Sequence, residues 1–180
     1  MKFNLATVLW GLLILGIGGS GSGCSTVPGD AGDDARRLTL AISTLSPVVD
    51  PKEAEKAAGI LTEESLRLAT SYKTVGDPLF QNMLVNSGFR ERGLCYHWVL
   101  DLVQALRQHE FRSLVFYRAG TKMGTYREHH TLVIVPYGGG FNDGLVVDAW
   151  QQQGRLHWVR VSGDSRDWIP LIADSPTRSQ

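Results

Sequence analysis

The sequence predicts an α+β domain with N-terminal helices packed on an antiparallel β-sheet. Three observations carry that expectation. Helical periodicity and capping residues occupy the first half of the chain, β-branched and aromatic runs the second half, and turn residues separate those runs at hairpin spacing. Helices followed by successive strands build one sheet covered by helices, not alternating βαβ units.

Asp50-Pro51 supplies an N-cap and a proline at the first helical position, and the following KEAEKAAGILTEESLRLATSY is rich in helix formers, with Gly59 as a potential break. Asp77-Pro78 opens a short helix to Val85 in the same way. From Cys95 to His109 the period is 3.6: Cys95, Val99, Leu102, Val103 and Leu106 form an apolar stripe, while His97, Asp101, Gln104 and Gln108 form the opposite one. This puts His97 on the polar side, in contact with solvent or a loop. The strands are Arg112–Ala119, His129–Pro136, Leu145–Trp150 and Arg155–Val161, with hairpin connections at residues 137–144 and 151–154.

The chain has 180 residues, 43% hydrophobic and 20% charged, which suits one folded domain and excludes bulk disorder. Eighteen basic residues balance eighteen acidic ones, so no charge excess exists to hold a nucleic-acid backbone. Two cysteines can form neither a disulfide framework nor a four-thiolate zinc site.

Lys2 precedes the apolar run LATVLWGLLILGIGG of 15 residues, short for a membrane-spanning helix and suited to a secretory signal peptide. The run ends in Gly21-Ser22-Gly23-Cys24, which resembles a bacterial lipobox, with Gly21 where that motif usually carries an aliphatic residue. Lipidation at Cys24 is the preferred reading over a plain cleaved signal or an uncleaved anchor. The expected organisation is a signal peptide over 1–23, a lipidated N-terminus and flexible tether over 24–37, a folded domain over 38–173 and a polar tail over 174–180. Ser25 after the cysteine favours the outer membrane, periplasmic face, in a cell that has one. The membrane partner is then the lipid anchor.

Cys95 opens the third predicted helix, where first-turn amides favour a thiolate. A nucleophilic thiol needs a base, and the base an orienting group. His130 begins one strand and Asp148 lies in the next, where an unpaired carboxylate between valines and Trp150 would be costly. His129 and His130 point to opposite faces of their strand, and since both faces are apolar, alternation does not choose between them.

Gly93-Leu94-Cys95-Tyr96-His97-Trp98 at a helix start, His130-Thr-Leu-Val-Ile-Val and Val147-Asp148-Ala149-Trp150 together resemble the transglutaminase-like group of papain-fold thiol enzymes. The resemblance spans roughly residues 86–161. It departs at Tyr96-His97 after the cysteine and at Ala149, where the group often has Pro. The Asp-Cys-Ser-Gly motif of the NlpC-like cell-wall peptidases is absent.

The resemblance implies a papain-like fold, Cys95, His130 and Asp148 as catalytic residues, and no cofactor. The His-x-x-Val-x-Val pattern is what selects His130 over His129. The implied activity is acyl transfer through a thioester, to water or to an amine, on a peptide or protein amide in the cell envelope. The Cys95 N–H would be one oxyanion donor, with Gln81, Asn86 and Trp98 as candidates for the second, and the loop 120–128 would form a substrate lip. Two rival readings are a catalytically silent binding module and a metal site built from Cys95, His129, His130 and Asp148.

Overall fold

The computed structural model describes residues 31–174. The signal segment, Cys24 and the end of the polar tail lie outside the described residues. Four helices, α1 (Ala31–Ser43), α2 (Pro51–Ser71), α3 (Pro78–Asn86) and α4 (Cys95–Leu106), precede five strands, β1 (Leu114–Thr121), β2 (His129–Pro136), β3 (Leu145–Gln152), β4 (Arg155–Arg160) and β5 (Ile169–Asp174). The strands form one antiparallel sheet in the order β4-β3-β2-β1-β5. The expected α+β class and helix-on-sheet arrangement are therefore present.

Local chemistry explains the helix starts. Asp50 accepts the Lys52 N–H at 2.8 Å and Asp77 the Phe80 N–H at 2.9 Å, each ahead of a proline in the first turn. α2 runs unbroken through Gly59. α4 packs its apolar stripe on β2 and β3, and α2 packs on α4. Trp98, Leu102 and Leu106 join Leu132, Ile134 and Val147 in the main core. The opposite sheet face carries a smaller cluster of Ala119, Val133, Val135, Val146, Val161 and Trp168. β2 is thus apolar on both faces, as expected of a central strand covered on each side.

Two segments depart from the sequence reading. α1 takes in residues 31–37, which composition placed in the flexible tether. Asp33 and Asp34 suit the positive end of a helix, Leu38 and Ile42 are buried one turn apart, and Asp34 pairs with Arg155 on β4 through bonds of 2.8 and 3.2 Å. A partner 121 positions away is invisible to local composition. The fifth strand, β5, lies beyond the four strands that the sequence predicts. Its Pro170 weighs against a strand reading, but β5 lies at the sheet edge beside β1, with a register shift at Arg118/Ala119.

Among the described residues, no helix is long and apolar enough to cross a membrane.

Candidate active site

Cys95 is the first residue of α4, behind a helix start unlike the others. Its N-cap is Leu94, which offers no side-chain acceptor, so the first-turn amides are not capped in the usual way. Instead His97 turns back, and its Nδ1 accepts the Gly93 and Leu94 N–H groups at 3.1 and 3.3 Å. His97 therefore makes the expected loop contact, but it is buried rather than solvated. Burial, with the positive charge of Arg92, lowers its pKa and favours the neutral ring that can accept.

The Gly93 turn is tightly specified. Its φ is +131°, and a Cβ there would meet the Gln81 amide nitrogen at 2.7 Å. Arg92 bonds Asp101 at 2.6 Å, and Tyr72 donates to the same carboxylate at 2.6 Å. The segment before the cysteine is thus tied to the second turn of the helix that follows it.

His129, and not His130, pairs with Asp148. His129 Nε2 lies 2.6 Å from Asp148 Oδ2, and both side chains are buried. The register explains the correction. Val133 pairs directly with Val146, so these two share a face. His129 and Asp148 each lie an even number of residues from that pair and share the same face. His130 lies an odd number away, on the face of Leu132 and Ile134. There its Nε2 contacts Glu128 Oε1 at 2.8 Å, and its ring sits 6.3 Å from that of Tyr96.

Asp148 is fully engaged. Besides His129, it accepts the Gln151 side-chain amide at 2.7 Å and the backbone N–H groups of Trp150 and Gln151 at 2.8 and 3.1 Å. The β3–β4 register shift falls after Asp148 and lets the chain fold back onto its carboxylate. Burial pushes this carboxyl up, but the His129 ring and Gln151 outweigh it and hold the pKa below the usual value. For His129, burial pushes the imidazole down. The Asp148 carboxylate and the Cys95 thiol, both acting on the ring, outweigh that and raise its pKa to about 9. The indoles of Trp150 and Trp168 flank the ring, with centroids 4.8 and 5.7 Å away.

Cys95 and His129 open into one cleft of about 460 Å³. The cleft is lined besides by Leu79 and Asn82 of α3, by Trp150 of β3, by Lys122, Tyr126, Arg127 and Glu128 of the β1–β2 connection, and by Arg166. The connection therefore borders the site as the sequence reading expected of residues 120–128, although Gly120 and Thr121 belong to β1.

Asn82 was missed. Trp150 Nε1–H donates to Asn82 Oδ1 at 3.1 Å. An indole nitrogen only donates, so the Asn82 oxygen must face it and the amide NH₂ must face away. The side chains named from sequence are used otherwise. Gln81 Nε2 donates to the Tyr72 and Arg92 carbonyls, and Trp98 Nε1 donates to the Gly93 carbonyl. Asn86 ends α3, exposed, and is not among the residues lining the cleft. Nothing in the sequence ties Asn82 to Trp150; only the packing of α3 against β3 brings them together.

Among the described residues, no group of three or more His, Cys, Asp or Glu side chains is arranged to hold a metal ion. The rival metal grouping also needs both neighbouring histidines, which point to opposite faces. In comparisons with known proteins, no family model, curated protein or solved structure matches the chain.

Proposed function

We propose that this chain is a thiol-dependent acyl-transfer enzyme of the transglutaminase-like, papain-fold kind, with Cys95 as nucleophile, His129 as proton carrier and Asp148 as the carboxylate that orients the imidazole. One observation carries this reading: a cysteine at a helix start and a buried histidine–aspartate pair act on one another at the wall of a single cleft. The order of Cys, His and Asp along helix, strand and neighbouring strand supports the fold comparison.

In this reading the Cys95 sulfur attacks an amide or ester carbonyl. Asp148 holds Nε2, so Nδ1 is the ring nitrogen that exchanges a proton with the thiol and then with the leaving amine. The C–N bond breaks, the amine departs protonated by His129, and a thioester remains on Cys95. Water, or a second amine, attacks the thioester, with His129 taking its proton, and releases the acid or the new amide. The Cys95 backbone N–H and the Asn82 side-chain NH₂ are the oxyanion donors. Lipidation at Cys24 would hold this activity at the membrane of the cell envelope, where the substrate is a peptide or protein amide.

The test is acyl-enzyme trapping. An activated ester, p-nitrophenyl acetate, should load an acetyl group onto Cys95, detected by peptide mass spectrometry and removed by neutral hydroxylamine. His129→Ala should lose the loading. Equal loading of wild type and His129→Ala would overturn the reading and leave the chain a silent binding module.

A further inference from the structure

The charge around the cleft is uneven. The whole chain carries no net charge, yet Lys122, Arg127 and Arg166 all line the cleft that holds Cys95 and His129, against a single carboxylate, Glu128. That carboxylate is already occupied: its Oε2 accepts the Gly124 N–H at 2.7 Å and its Oε1 contacts His130 at 2.8 Å. Arg166 is partly offset by Asp164, 3.3 Å away, and Asp167 lines an adjoining recess that shares Lys122, Arg127 and Arg166 with the cleft. Among the described residues, Lys122 and Arg127 have no carboxylate partner.

Lys122 and Arg127 are exposed at the mouth of the cleft, and the fold fixes the Lys122 backbone and the Arg166 side chain. Lys122 adopts φ +51°, unusual for a non-glycine residue, and its carbonyl accepts from both the N–H and the hydroxyl of Thr125. Arg166 reaches the site through Gln151, whose Oε1 accepts from Arg166 at 3.0 Å while its Nε2 donates to Asp148. One glutamine amide thus links the cationic wall to the carboxylate that orients His129.

We propose that this wall is a carboxylate-binding subsite, and that the acyl donor is an acidic peptide carrying a carboxylate beside the amide to be cleaved. The proposal rests on the acyl-transfer reading for the position of that amide. The carboxylate could be an acidic side chain or a free C-terminus, since both present the same anion to Lys122 and Arg127.

Paired alkylation of Cys95 tests it. Iodoacetate and iodoacetamide differ in charge but react with the same sulfur, so their rate ratio reads the cationic field at Cys95, from the His129 ring and the wall together, independently of how reactive the thiol is, and substitution of the wall with His129 kept isolates the wall's share. The ratio, relative to that of N-acetylcysteine amide measured alongside, should be raised about fivefold or more at low salt and should fall as NaCl is added. Lys122→Gln/Arg127→Gln should lower it at least about threefold while His129 is retained, and Lys52→Gln, at the start of α2, should not. Protection of Cys95 from iodoacetate by N-acetylisoglutamine, with a side-chain carboxylate, or by N-acetylglutamine, with a terminal one, identifies the source by whichever protects more. A ratio equal to that of the small thiol, or one unmoved by the double substitution, overturns the subsite. Failure of the acyl-transfer reading appears separately, in loss of acyl-enzyme trapping.

Discussion

His129 and Asp148 share one face of the β2–β3 pair and meet at 2.6 Å, while the adjacent His130 turns to the other face and meets Glu128. The two histidines are therefore not interchangeable, although both begin the same strand.

This difference is directly measurable. His129→Ala should slow alkylation of Cys95 by iodoacetamide at pH 7 by roughly 100-fold or more, the low end of what a positioned general base contributes. His130→Ala should stay within about twofold, because its partner is a carboxylate on the exposed connection. Equal effects of the two substitutions would contradict the assignment of His129.

The charge state of the pair sets a pH window. His129, raised to about 9, should keep its ring proton through pH 7 and lose it near pH 9 in a histidine NMR titration. Asp148→Asn should bring the pKa back to or below the ordinary 6.5, because burial then acts with less opposition. Since the folded pKa of His129 lies above its unfolded value, the stability it contributes is complete below about pH 6.5 and disappears as pH rises through about 9. Asp148 has the opposite sign. Its contribution is present above the unfolded value of 3.8 and is lost as pH falls further. Urea unfolding should therefore show a plateau between about pH 4 and 6.5, with a loss on the order of 2 kcal/mol on the alkaline side that Asp148→Asn removes.

Asn82 separates acyl transfer from thiol reactivity. Alkylation by iodoacetamide forms no oxyanion, whereas attack on a carbonyl does. Asn82→Ala should therefore cut the rate of Cys95 acylation by about 100-fold while leaving alkylation near the wild-type rate. Parallel losses in both reactions would mean that Asn82 only holds Trp150 in place.

Gly93→Ala should destabilise the fold by about 2–3 kcal/mol, from a strained backbone and a Cβ driven against Gln81. Urea unfolding measures this loss. Slower alkylation of Cys95 in the folded fraction would show that the turn also aims the thiol.

Lipidation is tested at Cys24, which lies outside the described residues. Cys24→Ser should move the protein from the membrane fraction to the soluble fraction or block its maturation, seen by fractionation and intact mass. Unchanged fractionation and mass would refute the anchor.

Much of this molecule was legible in its sequence because the signals are local. Asp50-Pro51 and Asp77-Pro78 cap helices through their own side chains, the stripe from Cys95 to Leu106 sets the face that α4 buries, and the strand runs carry their own β preference. Those features put Cys95 at a helix start and Asp148 in a strand next to the histidines. The histidine itself was decided by tertiary structure. β2 is apolar on both faces, so alternation along one strand carries no label for inside and outside; only its register with β3 puts His129 on the face of Asp148. The same holds for Asn82, set by an indole 68 positions away, for the start of α1, set by Arg155 on β4, and for β5, which becomes a strand because the edge of β1 was open to pair. Residues whose roles depend on themselves and their near neighbours can be read from one dimension; residues whose roles depend on which face meets which partner are decided by the packed sheet.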